Sequence, residues 1–194
     1  FTPDCKYPVV YAERGRAVIK VKADLDHLIT FMNKYILNTQ NKGERLGIDY
    51  KNDEFGQLEI RNYHLTKEDF SFSISYPAGL TLEEILDKLN RIEGYEYEVV
   101  SHFKPVYFDK KAPMVEIMKE TYEYVTGNDG TPVTTTGGTY AKMMPHIVPF
   151  RPSFPGQQGI GHNPNEWMTR EDLITNAKIY ALTLYQLSRK DTEL

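Results

Sequence analysis

The residues best suited to chemistry lie in one stretch near the carboxyl end of the sequence. Gly137, Gly138 and Thr139 follow a β-prone run, Lys142 stands three residues later, and His162 lies in a loop of small residues. Glycine lets a backbone approach a ligand closely, and successive N–H groups in such a loop can face an anion. The cation and the imidazole can reach a substrate or a metal from uncrowded loops. These residue types favour a pair of functional loops over a plain connector.

Composition limits the classes of protein that the chain can belong to. With 194 residues, 40% of them hydrophobic, it can bury a sizeable core. The net charge of −4, without a basic cluster, argues against nucleic acid or acidic membranes as partners. No run approaches the roughly 18 apolar residues of a membrane span. The single cysteine, Cys5, excludes a disulfide framework and indicates a cytoplasmic protein. The start at Phe1, without Met or a signal peptide, predicts a fragment.

The first part of the chain, 16–108, has the element order β-α-β-β-α-β. The clearest strand is 70–76, where aromatic or aliphatic residues alternate with Ser71, Ser73 and Ser75. Asp24 is placed to cap the first helix, and Thr81 with Glu84 forms a capping box for the second. This order predicts a ferredoxin-like layer, a fold that hosts many functions.

The pattern of helices and short strands in the second part, 109–194, predicts part of an α/β domain. Pro113 suits the first turn of a helix that Gly127 ends. Short strands are expected at 132–135 and 147–150, on either side of the glycine turn. Thr169 caps the last helix, whose apolar residues recur at helical spacing and are expected in the core: Leu173, Ala177, Tyr180, Leu184 and Leu187.

Several motifs resemble one family. GGTYAK (137–142), the FPG turn (154–156), His162 followed by NEW (165–167) and the final IYALTLYQLS resemble the carboxy-terminal region of bacterial dipeptidase V-like proteins. These are cytoplasmic members of the aminoacylase/carboxypeptidase family of two-metal peptidases. The amino-terminal FTPDCKYPVVYAERG and the run from Leu58 through SYPAG to HFKPVYF are similar to further segments of that subfamily.

The resemblance implies a fold and a set of site residues. The fold would be α/β, with 1–15 a remnant of the catalytic domain, 16–108 a shortened ferredoxin-like lid and 109–194 the carboxy-terminal part of the catalytic domain. Asp4 and His162 would be metal ligands, and their hard oxygen and borderline nitrogen suit Zn²⁺ or Mn²⁺. Gly137, Gly138 and Thr139 would form the loop for the substrate carboxylate, with Lys142 beside it.

Each of these residues also has a plainer interpretation. Asp4 precedes a Lys-Tyr-Pro turn and could be an ordinary turn aspartate. A single loop histidine such as His162 is commonly a surface residue, and Lys142 could be a solvated loop cation. The motifs that surround these residues favour the functional interpretation in each case.

The sequence also departs from the family pattern. Lys142 stands where the subfamily often has arginine, Thr136 where a third glycine is common, and Ser75 where the lid often contributes arginine. The other metal ligands and the general base of the family would lie before Phe1. Gly15-Arg16 and Gln40-Asn41 join segments that a full-length relative would separate, which predicts residues omitted at these two junctions.

Three functions remain open at this point. The first is a metallopeptidase with two divalent ions that hydrolyses dipeptides with a free amino terminus, of which this chain alone is inactive. The second is a non-catalytic relative, because of Ser75, Thr136 and Lys142. The third is a ferredoxin-like module that dimerises through its sheet. A dipeptide is the expected substrate, nucleic acid and membranes are not expected partners, and a homodimer is left open.

Overall fold

The computed structural model describes residues 8–135, 138–144, 147–150, 154 and 163–189. The chain divides into two compact units. The sheet unit is Glu13–Val106 with the described part of Thr136–Gly138. The helix-pair unit comprises the described parts of Phe1–Ala12, Tyr107–Thr135 and Thr139–Leu194.

Helices and strands both contribute, as the predicted α/β class requires. In chain order the elements are β1 (Val10–Glu13), β2 (Gly15–Lys22), α1 (Leu25–Phe31), a π-helical turn (Met32–Ile36), a 3-10 turn (Glu44–Leu46), β3 (Lys51–Asn52), β4 (Gly56–Gln57), β5 (Glu59–Leu65), β6 (Asp69–Tyr76), α2 (Leu82–Leu89), β7 (Glu96–Phe103), β8 (Val106–Tyr107), α3 (Pro113–Thr126), β9 (Val133–Thr135), a 3-10 turn (Tyr140–Lys142) and α4 (Arg170–Arg189).

The sheet unit is built on four antiparallel strands in the order β5-β6-β2-β7. The two central strands are joined to their sequence neighbours through α1 and α2, and β3 pairs with β4 as a small separate hairpin. The predicted order β-α-β-β-α-β is therefore confirmed, with the spatial order of a ferredoxin-like layer.

Alternation along β6 explains how this sheet forms a core. Phe70, Phe72, Ile74 and Tyr76 are all at most 1% exposed, while the intervening serines lie on the other face. One face of each strand is thus apolar, as a half-buried sheet requires. The buried core contains residues of both helices as well as the sheet: Ala17, Ile19, Val21, Leu28, Phe31, Ile36, Leu46, Ile48, Leu58, Ile60, Phe70, Phe72, Ile74, Tyr76, Leu80, Ile85 and Leu89.

The predicted helix caps are present. The Asp24 carboxylate accepts a hydrogen bond from His27 N at 3.0 Å. The Thr81 hydroxyl accepts one from Glu84 N at 3.2 Å, and the Glu84 carboxylate accepts one from Thr81 N at 2.8 Å. These bonds satisfy N–H groups that the first turn of a helix leaves without a partner.

The helix-pair unit contains a three-stranded sheet, β8-β1-β9, and two long helices that pack on each other. Pro113 opens α3 and Gly127 ends it in the left-handed region at φ 70°, as predicted. The strand expected at 147–150 is reduced to a single bridge between Val9 and Phe150. In the described part of the chain, no helix combines the length and the apolarity needed to cross a membrane.

The expectation that the apolar residues of α4 lie in the core is wrong. Leu173, Tyr180 and Leu184 are 61%, 42% and 67% exposed, and Ala177 is exposed as well. The buried residues are Asn176, Ile179 and Thr183. Periodicity shows which face of a helix is apolar, but it does not show whether anything in the chain covers that face.

At the two junctions where residues were expected to be omitted, the local hydrogen bonding is continuous. Gly15 and Arg16 take successive positions in one ladder, opposite Tyr76 and Ser75, so β2 runs through the first junction as a continuous strand. At the second junction, the Glu44 carboxylate accepts hydrogen bonds from the backbone N–H of the residues at 40 and 42. Both sides of that junction therefore belong to one tight turn.

Candidate substrate-binding site

The loop predicted to hold a substrate carboxylate ends in a capped turn. Thr139 is extended at φ −123° and ψ −179°, and its hydroxyl accepts a hydrogen bond from Ala141 N at 3.2 Å. Its carbonyl accepts one from Lys142 N at 3.3 Å. A threonine side chain that bonds the backbone two residues later stabilises a tight turn, so the direction of the chain is set locally.

Thr139 and Lys142 stand at the two ends of this turn. The Thr139 side chain caps the turn, and Lys142 is its last residue. Lys142 is half-buried, and Gly138, which precedes Thr139, is exposed. Gly137 and Thr136 lie outside the described residues.

The two predicted metal ligands, Asp4 and His162, also lie outside the described residues. The segment that follows His162 is a turn in which Glu166 N donates to the Asn163 carbonyl at 3.2 Å. Asn165 adopts φ 63°, a left-handed conformation that asparagine tolerates better than most residues. Within the described ranges, no group of three or more His, Cys, Asp or Glu side chains is placed to hold a metal.

A buried arginine that the sequence did not single out lies at the start of β2. Arg14 is 2% exposed, and its guanidinium donates to the carbonyls of Ser75, at 2.9 Å, and Gln57. It also lies 3.5 Å from a Glu59 carboxylate oxygen. Burial lowers the pKa of Arg14, and the Glu59 charge opposes this shift.

Arg14 links several strands of the sheet unit. Its Nη2 donates to backbone carbonyls on β4 and β6, and its Nη1 faces the Glu59 carboxylate at the start of β5. The side chain is buried and holds these strands together. The sequence signals for it were the amino-terminal motif that ends in YAERG and a charged Glu-Arg pair before a glycine.

A hydrogen-bonded tyrosine and histidine lie at the same end of the sheet. The Tyr76 hydroxyl is 2.6 Å from His102 Nε2, and the two rings are stacked at 14° with centroids 6.2 Å apart. Burial raises the pKa of Tyr76 to about 12, with a smaller contribution from Glu83. Burial also lowers the pKa of His102, and the Glu83 carboxylate partly offsets this.

Gly15 makes the Tyr76–His102 arrangement possible. A Cβ at position 15 would overlap the ring of Tyr76, which lies directly over the glycine backbone. The Tyr76 side chain is 1% exposed, so the ring cannot move outward without opening the core. The close approach of Gly15 to the Tyr76 ring thus supports the polar contact between Tyr76 and His102.

The chain belongs to peptidase family M20/M25/M40, because the sequence model of that family matches residues 8–186. A protein of Staphylococcus aureus (strain USA300) named "Putative dipeptidase" is 27% identical over 194 aligned residues, which cover 93% of this chain and 41% of that protein. A protein of the same name from Staphylococcus saprophyticus is 26% identical over 88% of this chain and 38% of its own length. The chain thus spans about two fifths of these relatives.

Solved structures show the same fold at low sequence identity. The dipeptidase Dug1p of Saccharomyces cerevisiae is 12% identical with a TM-score of 0.61, over 97% of this chain and 57% of that one. The M20 family metallo-carboxypeptidase Sso-CP2 of Sulfolobus solfataricus is 12% identical with a TM-score of 0.63, over 94% and 61%. Human carnosine dipeptidase 1 has a TM-score of 0.57 at 12% identity, over 96% and 57%.

Proposed function

We propose that this chain is part of a metal-dependent dipeptidase that hydrolyses dipeptides with a free amino terminus. The observation that carries the proposal is the family match over residues 8–186, and the dipeptidase names of the staphylococcal relatives support the substrate class. Because the chain spans about two fifths of those relatives, the activity is that of a larger whole, to which this chain contributes part of the site.

In this proposal the loop 137–139 and Lys142 hold the substrate's free carboxylate. Gly137, Gly138 and Thr139 would offer backbone N–H groups to the carboxylate, and the turn capped by Thr139 that ends at Lys142 supports this proposal. Lysine gives a point charge, whereas arginine would bind the carboxylate through two parallel hydrogen bonds. Lys142 would therefore attract the carboxylate but orient it less strictly than arginine.

Asp4 and His162 would each hold a divalent ion, Zn²⁺ or Mn²⁺. A carboxylate and an imidazole are a suitable donor pair for either metal. Two side chains cannot complete two sites, since zinc generally takes about four groups and catalytic sites about three plus water. The remaining ligands and the general base would come from residues beyond this chain. When bound, such ions polarise the scissile carbonyl and activate water.

A non-catalytic relative remains a second candidate. It is favoured by the replacement of the usual lid arginine with Ser75, whose side chain is buried and whose carbonyl is bound by Arg14. Such a protein would bind a carboxylate ligand without turnover. A homodimer formed through the sheet remains compatible with either function.

The first experiment separates these candidates by measuring dipeptide hydrolysis with added Mn²⁺ or Zn²⁺. We expect the protein from the complete reading frame to cleave dipeptides, the same protein with His162→Ala to lose turnover, and the 194-residue chain to show nothing above a metal-only control. Metal-dependent cleavage by the short chain would show that the catalytic residues are misplaced. A complete protein that binds metal and cleaves no dipeptide would favour the non-catalytic relative.

A second experiment tests the role of Lys142 in that complete protein. For a dipeptide, Lys142→Ala should raise KM by about 10-fold, because a hydrogen bond to a charged group contributes roughly 1.5–3 kcal/mol. For the same dipeptide as a carboxy-terminal amide, KM should not change, and Lys142→Arg should restore binding of the free acid. The matched control is Lys178→Ala, which removes an exposed lysine on α4. An equal loss with acid and amide would exclude carboxylate recognition by Lys142.

A further inference from the structure

The most apolar face of α4 is turned to solvent. Six residues that share one face of the helix are all exposed. We call this set the α4 stripe: Leu173, Ile174, Ala177, Ala181, Leu184 and Tyr185. The large side chains among them are between 46% and 67% exposed. Contiguous exposed apolar surface of this kind marks an interaction site.

The face of α4 that packs inside the chain is the more polar one. Asn176 and Thr183 are 8% and 3% exposed, and the Asn176 Oδ1 and Thr183 Oγ1 atoms have no hydrogen-bond partner among the described residues. On α3, which packs against α4, the buried Thr121 Oγ1 lacks a partner in the same way. Hydrophobic burial inside this chain thus accounts for little of the sequence of α4, and the stripe requires another explanation.

Two further apolar side chains are exposed near the helix. Trp167 and Met168, in the segment that leads into α4, are 52% and 46% exposed. The apolar clusters formed by the described residues of the helix-pair unit are small: one contains Val9, Val115, Met118 and Val148, and another contains Tyr122, Phe154 and Ile179. This unit therefore has more apolar surface than its described residues can cover.

The lengths of the relatives indicate what covers it. The chain accounts for 57% of Dug1p and 61% of Sso-CP2 at TM-scores above 0.6, so about two fifths of each of these chains is polypeptide beyond the part that this chain matches. The sheet unit already has a continuous core that unites its sheet with both of its helices. The helix-pair unit, in contrast, leaves large apolar side chains exposed, so additional polypeptide of the same domain would be needed there.

We propose that the α4 stripe is the surface on which the remaining polypeptide of the peptidase domain packs, through a complementary apolar face of its own. The occupant is the segment that the relatives carry beyond the share matched here, and not a second copy of this chain. This proposal rests on family membership and on the exposure of the stripe, and it is independent of whether the protein cleaves dipeptides.

Thiol accessibility tests the proposal directly. Leu173→Cys and Leu184→Cys are introduced both into the 194-residue chain and into the protein made from the complete reading frame. Alkylation of each introduced thiol is followed by peptide mass spectrometry, so that Cys5 does not interfere. Glu93→Cys, in an exposed turn after α2, serves as the accessible control, and Ile179→Cys, on the buried face of α4, serves as the protected control.

In the short chain we expect both stripe thiols to react as fast as the thiol at position 93. In the complete protein they should react at least 10-fold more slowly, while the thiol at position 93 keeps its rate and the thiol at position 179 is slower than the stripe thiols in the short chain. If a substitution disturbs folding, hydrogen exchange of the unsubstituted proteins over 173–185 gives the same comparison, and the complete protein should be slower.

Three results would overturn the proposal. The first is equal reactivity of the stripe in the short and the complete protein. The second is protection already present in the short chain together with a dimer by light scattering, which would make a second copy the occupant. The third is a complete reading frame that encodes no further peptidase polypeptide.

Discussion

The two units of this molecule are both built from helices and strands, but they differ in how fully they bury their apolar side chains. The sheet unit buries one face of its strands and both of its helices in a continuous core. Among its described residues, the helix-pair unit buries only small apolar clusters and leaves large apolar side chains such as Leu173, Leu184 and Trp167 in solvent. This difference is the basis of our proposal that the α4 stripe packs against polypeptide outside this chain.

The largest expected difference between the two units comes from a leucine-to-alanine substitution made in each of them. Leu89→Ala, at the buried end of α2, should lower the free energy of unfolding by about 2–5 kcal/mol, because it leaves a cavity in the core. Leu184→Ala, on the exposed face of α4, should change it by less than about 0.5 kcal/mol. Urea unfolding of the 194-residue chain measures both, and similar losses for the two variants would contradict the comparison.

Adding a side chain at Gly15 tests how tightly the sheet unit is packed around Tyr76. Gly15→Ala should destabilise it by about 1–3 kcal/mol, since the new Cβ would overlap the Tyr76 ring. Gly15→Ala combined with Tyr76→Ala should recover part of the loss caused by the first change, because the obstructing ring is removed. Two losses that simply add would show that the ring and the glycine are not coupled.

The helix caps offer a comparison of intermediate size. Thr81→Ala removes a capping box from α2, and Thr169→Ala removes the hydroxyl that accepts from Asp172 N at 3.0 Å. Each should cost about 1 kcal/mol of local stability. In the sheet unit the loss should appear in cooperative urea unfolding, whereas at α4 it should appear as faster hydrogen exchange of the first turn alone. A full cooperative loss with Thr169→Ala would mean that α4 folds together with the sheet unit.

The smallest expected effect concerns pH. Burial lowers the folded-state pKa of His102, so the unfolded chain binds more protons just below the ordinary histidine pKa, and this contribution to stability is lost as pH falls through that window. His102→Gln should remove this part of the pH dependence between about pH 7 and pH 5. Urea unfolding at several pH values measures it, with His64→Gln, on the exposed part of β5, as control. An unchanged pH profile in His102→Gln would exclude the histidine as its source.

Local signals in the sequence predicted most of the sheet unit. Alternation at 70–76, the Asp24 cap and the Thr81–Glu84 box each depend on neighbours within a few residues, and all three were correct. Arg14 and the Tyr76–His102 contact could not be predicted in this way, because their partners are 26 to 61 residues away in sequence. The prediction that the apolar residues of α4 are buried was wrong for a different reason. Their spacing identified an apolar face of the helix, but it carried no information on what covers that face.

The candidate site was predicted mainly by resemblance. The capped turn from Thr139 to Lys142 was not predicted and is a finding of the structure. The metal roles of Asp4 and His162 and the carboxylate role of Gly137 remain predictions. A single aspartate and a single histidine, 158 positions apart by number, carry no spacing signal of their own.

Peptide-resolved hydrogen exchange of the 194-residue chain tests most directly whether the sheet unit has a protected core while α4 is covered on only one side. We predict that amides in 17–21 and 70–76 exchange slowly, at the rate of cooperative unfolding, because these central strands lie in the continuous core. Amides in 173–185 should exchange far faster, through local opening of a helix that is covered on only one side. Protection of α4 equal to that of the central strands would contradict the account.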